Sequence, residues 1–366
     1  MQKTAVPLAI LSVFLISLQL LTTATGTQYY LTQLTMSAYY GLLVIGLCLL
    51  MGYAGQISIG HAGFFAIGGY LSAALTTNNL LPYETQPLVV FLQKFHLLRT
   101  WENLNGETLL TLHPWAAALV AISTAALIAL IVGIPVLKLR GHYLAMATLG
   151  FGIIIYRIVL ALPYFGEADG ISEVPGFSVL PAGLLAENGF IINGESDQPI
   201  FNYYFAWVLL ILGLTLLLNL TRSRAGRSLQ ALHGSEDAAE ASGINTSRTK
   251  LQVFVLSAVY AALAGVLLTH FNGGIGPAEA SVMKSVRYVA LVAVGGMTSL
   301  WGSMLMGVGL SFLSLRGVFG SYDDAIFAVI LLAIMLFAPG GFASIVAYLP
   351  WKRQQVFLPN KETEHA

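Results

Sequence analysis

The feature that most constrains this chain is a series of about ten apolar runs, most of them close to twenty residues long. A helix rises about 1.5 Å per residue, so such a run matches the roughly 30 Å hydrocarbon core of a bilayer. The eighth run is short and interrupted by glycine, so nine spans is the alternative. For the first run the alternative is a cleaved signal peptide. The predicted spans are residues 5–25, 32–52, 61–78, 114–137, 142–162, 201–220, 251–271, 285–298, 301–317 and 323–347.

The composition supports a membrane protein. Hydrophobic residues make up 57% of the chain and charged residues only 9%, whereas a soluble domain carries about 25% charged residues. A transmembrane barrel would show short alternating segments instead of continuous apolar runs. We therefore predict an all-α, polytopic transmembrane helical bundle in contact with the lipid bilayer. The net charge is zero, so nothing indicates a nucleic-acid partner.

The basic residues predict the orientation, because Lys and Arg in short loops favour the cytoplasmic side. With Lys3 inside, the two termini and loop 221–250 are cytoplasmic, and segments 79–113 and 163–200 lie outside. The sequence then predicts one transmembrane domain, 1–350, and a cytoplasmic tail, 351–366. The other basic residues that this orientation places inside are Lys138, Arg140, Arg222, Arg224, Arg227, Arg248, Lys250, Lys352, Arg353 and Lys361.

The sequence offers no recognisable catalytic site. A phosphate-binding P-loop needs Gly-Lys followed by Ser or Thr, and no Gly-Lys dipeptide occurs. Paired carboxylates, a Ser/His/Asp set and a His/Cys metal cluster are also missing from the pattern. We expect a protein that is not an enzyme, with no catalytic residue, no metal site and no cofactor of its own. If ATP drives the process, partner subunits bind and hydrolyse it.

Carboxylates are absent from the middle of every predicted span. Buried carboxylates commonly bind protons or sodium in gradient-driven carriers, so their absence argues against a secondary carrier. Backbone carbonyls can also bind sodium, which keeps that alternative open. Arg157, Arg287 and Arg316 lie near span ends. We interpret them as snorkelling to the interface, with contact to a substrate carboxylate as the alternative.

A glycine-rich break separates the second and third spans. Glycine weakens helices because it has the largest backbone entropy to lose. Two interpretations stay open: a short cytoplasmic turn with small residues for close packing, or irregular backbone that lines the translocation pathway. The candidate pathway residues are Gly55, Gln56, Ser58, Gly60 and His61. The break reads Gly52-Tyr-Ala-Gly55-Gln56-Ile-Ser58-Ile-Gly60-His61-Ala-Gly63.

The loop after the sixth span contains two short predicted helices. Residues 227–233 and 236–242 are good helix formers, separated by Gly234 and ended by Gly243. Acidic residues begin the second helix, where the helix dipole favours them. A solvated loop helix is the simpler interpretation. The alternative is a docking surface, with small side chains at Ala238, Ala239 and Ala241 that let a partner approach closely.

The same loop carries a family resemblance. Asp237-Ala238-Ala239-x-x-x-Gly243 resembles the E-A-A-x-x-x-G loop of ABC importer permeases, with Asp in place of Glu. A larger set of motifs, in family order, is similar to the LIV-type branched-chain amino-acid permeases. That set is Gly52-Tyr-Ala-Gly-Gln-Ile-Ser-Ile-Gly-His-Ala-Gly-Phe-Phe, Leu139-Arg-Gly-His-Tyr-Leu-Ala-x-x-Thr148-Leu-Gly-Phe-Gly, Gly170-Ile-Ser, Gly226-Arg-x-Leu-x-Ala, Asp-Ala-Ala-Glu-Ala-x-Gly-Ile-Asn, Lys250-Leu and Gly295-Gly-Met-x-Ser-Leu-Trp-Gly.

The resemblance implies an inner-membrane permease subunit of a bacterial ATP-driven importer. It implies a second related permease, two cytoplasmic ATPases and a periplasmic substrate-binding protein as partners. The loop would dock on an ATPase, and the acidic segment 163–200 would face the binding protein. The length of segment 79–113 exceeds what the family leads us to expect. The residues implied for ATPase coupling are Gly226, Arg227, Ala231, Asp237, Ala238, Ala239 and Gly243.

We expect this permease to translocate branched-chain or other hydrophobic amino acids by alternating access. Within the same class, the alternative is an importer of urea or short amides. A gradient-driven carrier would transport without an ATPase. A membrane scaffold would fill the space between its helices with apolar side chains.

Overall fold

The computed structural model describes residues 2–95, 97–102, 106, 108–139, 141–180, 190–194, 198–318 and 320–337. Within these ranges the chain is almost entirely helical. The helices are α1 (Gln2–Ala24), α2 (Tyr29–Cys48), α3 (His61–Thr77), α4 (Pro87–Lys94), α5 (Pro114–Val136), α6 (His142–Ala161), α7 (Pro199–Arg222), α8 (Arg224–Gly234), α9 (Glu236–Ala241), α10 (Thr246–Asn272), α11 (Val282–Gly295), α12 (Leu300–Leu315) and α13 (Asp323–Phe337).

The all-α bundle predicted from hydropathy is confirmed. Each predicted span coincides with a helix to within a few residues, and the end of the last span lies outside the described residues. Among the described helices, six are long and apolar enough to cross a membrane. These six are α1, α2 with the π-helical turn Leu49–Tyr53 that continues it, α5, α6, α7 and α10. The remaining predicted spans, α3, α11, α12 and α13, are shorter helices.

The two segments predicted to lie outside contain secondary structure of their own. Segment 79–113 folds into a short 3-10 turn, α4, and an antiparallel hairpin of β1 (Leu98–Glu102) and β2 (Thr108–Leu112). Segment 163–200 contains a second antiparallel hairpin, β3 (Phe177–Leu180) and β4 (Phe190–Ile192). We call this end of the bundle the hairpin end, and the end that carries α8 and α9 the loop end. The tail 351–366 lies outside the described residues.

Helices α2 and α10 occupy the centre of the bundle. Helix α10 packs against α2, α3 and α5, and α2 packs against α7, α10 and α12. Almost every side chain of α2 is buried. A helix that is apolar on all sides and surrounded by other helices is expected at the core of a membrane bundle.

Small residues allow α3 and α10 to approach closely. A Cβ atom on Gly68 would lie 2.3 Å from the carbonyl oxygen of Ala262, and one on Gly265 would lie 2.1 Å from that of Phe65. Neither distance is possible for a real side chain. Glycine at both positions therefore lets the two backbones touch, which is the common way helices associate in membranes.

Helix α5 shows how the bundle meets its surroundings. Its buried face is a row of alanines four residues apart, and large apolar side chains such as Leu119, Leu127 and Ile131 point outward and are exposed. A soluble protein would place these sizes the other way round, but lipid tails are as apolar as leucine. The outward face of α5 is therefore suited to lipid contact. The buried row consists of Ala117, Ala121, Ala125 and Ala129.

Candidate functional site

The two short helices predicted in the loop are present. Helix α8 begins at a cap in which the Ser223 hydroxyl accepts a hydrogen bond from the Gly226 amide. Its buried positions, Gly226, Leu229 and Leu232, are three residues apart and form one face against the bundle. A Cβ atom on Gly226 would lie 2.1 Å from the Thr221 carbonyl oxygen. Gly226 therefore permits the tight passage from α7 into α8.

Helix α9 is capped at both ends. The Ser235 hydroxyl accepts from the Ala238 amide at its start. At its end Gly243 has φ of +80°, and the Ile244 amide donates to the Ala239 carbonyl. This left-handed C-terminal cap favours glycine because other residues pay a steric penalty there. The predicted helix stop at Gly243 is confirmed.

The seven residues implied for ATPase coupling divide into two groups. Arg227, Ala231, Asp237, Ala238 and Gly243 are exposed and form a continuous stretch of surface on α8, α9 and the turn that follows. Gly226 and Ala239 are buried against the chain itself.

Ala239 therefore presents no exposed side chain, since it is 2% exposed, and its role in ATPase coupling stays a prediction. Its carbonyl oxygen accepts the hydrogen bond from the Ile244 amide that caps the end of α9.

An ion pair fastens α9 to the start of α10. The Lys250 Nζ atom contacts the Glu236 Oε1 atom, and the side chains are 10% and 24% exposed. Glu236 is the first residue of α9, and Lys250 lies one turn into α10. Because an uncompensated ammonium group is costly to bury, this pairing holds α9 against α10.

The glycine-rich break begins at the loop end. After the π-helical turn, Gly55 has φ of +65° and is packed against His233 of α8, whose Nδ1 atom would lie 3.0 Å from a Cβ atom on Gly55. The Gln56 amide donates to the Leu50 carbonyl over 3.2 Å. The start of the break is therefore in direct contact with the loop helices.

The other end of the break lies in the middle of the bundle. The His61 Nε2 atom is 2.8 Å from the Ser257 Oγ atom, and the His61 Nδ1 atom is 2.9 Å from the Ser58 Oγ atom. Ser257 lies eleven residues beyond Thr246, or about 16 Å along α10. Helix α3 thus begins level with the middle of α10, so the break extends further than a short turn.

Backbone contacts hold the break against α6. The Ile59 amide donates to the Thr148 Oγ1 atom over 3.0 Å. A Cβ atom on Gly60 would lie 2.3 Å from the Thr148 carbonyl oxygen. Glycine at position 60 therefore lets α6 lie directly on irregular backbone, an arrangement that persists in a membrane only within protein or beside water.

Gln56 has unused hydrogen-bonding capacity. Its side chain is buried, and neither amide atom has a hydrogen-bond partner among the described residues. A buried amide without a partner costs about 1–3 kcal/mol. Gln56, Ser58 and His61 are thus three buried polar side chains of the break, and Gln56 is able to bind a further group.

Two carboxylates lie closer to the helices than the sequence suggested. The chain leaves α10 through Gly273 to Gly276, turns back in a 3-10 turn (Pro277–Ala280), and brings Glu279 against Tyr40 of α2. Asp323, at the first position of α13, contacts Arg287. Arg287 is therefore paired with a carboxylate, and its snorkelling to the interface stays a prediction. The sequence signal for this returning loop is its Gly-Gly-Ile-Gly-Pro composition.

No group of three or more His, Cys, Asp or Glu side chains that could hold a metal occurs in the part of the chain that the structure describes. The fold and the site thus define a multi-pass helical membrane protein. A helical loop is presented at one end, and polar, glycine-broken backbone connects that end to the middle of the bundle.

Comparison with known proteins identifies the family. A family model described as "Branched-chain amino acid transport system / permease component" matches residues 29–339. The high-affinity branched-chain amino acid transport system permease protein LivM of Salmonella typhimurium is 30% identical over 90% of this chain and 72% of LivM. The chain belongs to this family of permease components. No solved structure matches the chain.

Two further relatives show the breadth of the similarity. The branched-chain amino acid permease protein BraD of Pseudomonas aeruginosa is 27% identical over 86% of this chain and 94% of BraD. The galactose/methyl galactoside import permease protein MglC of Salmonella typhimurium is 29% identical over 61% of this chain and 62% of MglC. Relatives of this chain thus include permeases named for quite different solutes.

Proposed function

We propose that this chain is a permease subunit of an ATP-driven importer that carries branched-chain or other hydrophobic amino acids across the bacterial inner membrane. The observation that carries the proposal is a continuous set of contacts from the exposed loop to the buried break. Glu236 on α9 pairs with Lys250 on α10, and Ser257, further along α10, binds His61. A force applied to α9 would be transmitted along α10 to the start of α3.

A second contact runs in parallel. His233 of α8 packs against Gly55, so a shift of α8 would press directly on the start of the break. Glycine at positions 55 and 60 gives the intervening backbone freedom to change conformation. We propose that closure of the ATPase pair moves α8 and α9, and that the break converts this movement into alternating access.

The exposed residues of the loop form the proposed surface that binds the ATPase. It comprises Arg227, Ala231, Asp237, Ala238 and Gly243, while Gly226 and Ala239 support it from beneath. ATP is bound and hydrolysed by two separate cytoplasmic ATPase subunits. A second related permease and a periplasmic binding protein complete the assembly, and both termini face the cytoplasm. Residues 1–350 act as one permease domain, and 351–366 form a cytoplasmic tail.

The candidate pathway consists of Gly55, Gln56, Ser58, Gly60 and His61. Its support is the buried Gln56 amide and the position of His61 beside the middle of α10. A substrate that passes here meets hydrogen-bonding groups instead of an apolar barrier. That arrangement also disfavours a scaffold whose interior is filled with apolar side chains.

The experiment is uptake of labelled leucine by proteoliposomes that hold the complete complex, with the binding protein added and with or without internal ATP. Isoleucine, valine, urea and galactose are the competitors. Uptake that needs ATP and is suppressed by isoleucine and valine supports the proposal. Uptake driven by an ion gradient without ATP contradicts it. ATP-dependent uptake of labelled urea or galactose, with none of leucine, keeps the importer and replaces its substrate.

A further inference from the structure

A mixed-charge cluster lies where α2, α11, α12 and α13 meet. Its members are Glu279, Lys284, Arg287 and Asp323. The Lys284 Nζ atom is 2.8 Å from the Glu279 Oε1 atom, and the Arg287 Nη2 atom is 2.5 Å from the Asp323 Oδ2 atom. The side chains are between 18% and 26% exposed. The cluster therefore holds two ion pairs that are largely removed from solvent.

The Glu279–Lys284 side of the cluster is level with the interior of the bundle. The Glu279 Oε1 atom accepts from the Tyr40 hydroxyl over 3.4 Å, and Tyr40 lies eleven residues into α2, about 16 Å along its axis. Ser285, next to Lys284, accepts a hydrogen bond from the Ala62 amide in the first turn of α3. Ionisable groups at this depth in a membrane protein are costly and commonly mark a substrate pathway.

A small cavity of about 40 Å³ opens beside the cluster. It has room for roughly three water molecules. Its lining includes Tyr288, whose side chain is 2% exposed and whose hydroxyl has no hydrogen-bond partner among the described residues. Leaving a buried hydroxyl unpaired costs free energy. The cavity thus offers an unused hydrogen bond beside two cations, Lys284 and Arg287, each of which is paired with a carboxylate.

A purely structural role, in which the ion pairs hold helices together, explains this arrangement poorly. The Glu279–Lys284 pair joins residues only five apart in the chain, although both side chains also contact the Tyr40 hydroxyl of α2. Arg287 does bridge α11 to Ser314 of α12, over 2.6 Å, and to Asp323 of α13. Even so, a purely structural role gives no reason for the cavity or for the Tyr288 hydroxyl, which has no partner among the described residues.

We propose that this cluster binds the charged groups of a free α-amino acid during translocation. Glu279 receives the ammonium group, Lys284 and Arg287 receive the carboxylate, and the Tyr288 hydroxyl adds a hydrogen bond to that carboxylate. The inference rests on the proposed amino-acid import and names where the substrate's charges are held.

The electrostatic reason is partner exchange. A zwitterion carries both charged groups on one carbon atom, so the Glu279–Lys284 pair can open and re-form on the substrate without leaving an uncompensated charge, while Arg287 stays paired with Asp323 and adds a hydrogen bond to the carboxylate. Charge-assisted hydrogen bonds then replace those lost on desolvation. Because the cavity is smaller than an amino acid, binding must separate the Glu279–Lys284 pair and widen the space between α2 and α11. A neutral sugar or urea gives these charges nothing to exchange with.

The test is equilibrium binding of tritiated leucine to the complete permease–ATPase complex in lipid nanodiscs, without the binding protein. The competitors are leucinamide, which lacks the carboxylate, and 4-methylpentanoate, which lacks the ammonium group. Neither compound should displace leucine effectively from the wild-type complex. Glu279→Gln should weaken leucine binding by about tenfold or more. It should also narrow the difference in binding affinity between leucine and 4-methylpentanoate.

Two further variants complete the design. Tyr288→Phe removes only a hydroxyl that has no hydrogen-bond partner among the residues that the structure describes, so it should fold normally and still weaken leucine binding. Lys94→Gln changes an exposed charge on α4 and should bind leucine as the wild type does. If Glu279→Gln prevents assembly, Tyr288→Phe decides the question.

Three results would overturn the inference. They are no leucine binding by the wild type, equal competition by 4-methylpentanoate, and unchanged binding by both Glu279→Gln and Tyr288→Phe. Uptake assays on the same preparation separate this failure from failure of the proposed function. Leucine uptake without these binding effects rejects only the cluster, whereas absence of leucine uptake rejects the proposed amino-acid import and the cluster with it.

Discussion

The Nε2 atom of His61 lies 2.8 Å from the Oγ atom of Ser257, which fixes the first residue of α3 to the middle of α10. The other ring nitrogen of His61 is bound to Ser58, within the break itself. All three side chains are buried. One histidine thus joins irregular backbone to the helix that follows the loop helices α8 and α9.

Ser257→Ala should destabilise the protein and reduce transport. The change leaves one nitrogen of a buried imidazole without its partner, which costs about 1–3 kcal/mol. The melting temperature of the purified protein should fall, and leucine uptake should fall with it. Ser17→Ala is the control, because the Ser17 hydroxyl on α1 bonds to its own helix at the exposed Val13 carbonyl. An equal loss of melting temperature and leucine uptake in both variants would contradict the special role of Ser257.

Lys250→Met should uncouple ATP hydrolysis from transport. The variant removes the ammonium group that holds Glu236, and Glu236 is exposed enough to be hydrated afterwards. Helix α9 then moves without carrying α10, so we expect hydrolysis to continue while leucine uptake falls about fivefold or more, in line with about 1 kcal/mol of lost coupling. The measurement is ATP hydrolysed per leucine transported.

The control for this experiment is Lys138→Met, an exposed lysine at the loop end of α5. The double reversal Glu236→Lys with Lys250→Glu restores opposite charges and should recover part of the coupling. An unchanged ratio of ATP to leucine in Lys250→Met would show that the ion pair transmits no force.

Asp237→Arg and Gly243→Trp should abolish ATPase binding while leaving membrane insertion intact. Arginine at position 237 places a cation at the positive end of α9 as well as reversing the charge of the exposed surface. At position 243 the φ of +80° strains any side chain, and asparagine tolerates this region best. Gly243→Asn should therefore retain more ATPase than Gly243→Val in co-purification. If both Asp237→Arg and Gly243→Trp form normal complexes with the ATPase, the assignment of this surface to ATPase coupling is wrong.

The predicted orientation can be checked with single cysteines. The one native cysteine, Cys48, is buried and should give little background labelling. Ser235→Cys, at the exposed loop end, should react with a membrane-impermeant maleimide only after the inner face is opened. Ser172→Cys, exposed at the hairpin end, should react in intact spheroplasts. Labelling of position 235 from outside would reverse the topology.

Hydropathy could predict the helices because a bilayer leaves the backbone few alternatives. The bounds of α5, at 114–137 from the sequence and Pro114–Val136 in the structure, differ by one residue. Local chemistry likewise predicted α9, since a serine cap, early acids and a final glycine are all short-range signals. The hairpins were missed because strands of three to five residues give almost no periodic signal.

Depth within the bundle could not be predicted from the sequence. That Glu279 lies beside Tyr40, 239 positions away along the chain, depends on how the loop after α10 folds back. The same holds for His61, whose position is set by packing on α10 instead of by its neighbours in the chain. The sequence therefore identified the candidate pathway residues as a group but could not place them relative to the middle of the bundle.

Gly265→Val should separate α3 from α10 and so disrupt the contact between His61 and Ser257. A Cβ atom at position 265 would lie 2.1 Å from the Phe65 carbonyl oxygen, and backbone on the opposite helix cannot rotate away as a side chain could. We expect a loss of stability at or above the upper end of roughly 1–3 kcal/mol for overpacking. Gly150→Val on α6 is the matched control, because a Cβ atom there has no neighbour within 4 Å.

The two valine variants carry the same helix-propensity change, so their difference in melting temperature isolates the close packing. Gly265→Val should melt several degrees lower and lose leucine uptake, and Gly150→Val should match the wild type in both. If the two variants melt together, the α3–α10 backbone contact contributes little. The His61–Ser257 hydrogen bond would then have to hold these helices without the support of the glycine crossing.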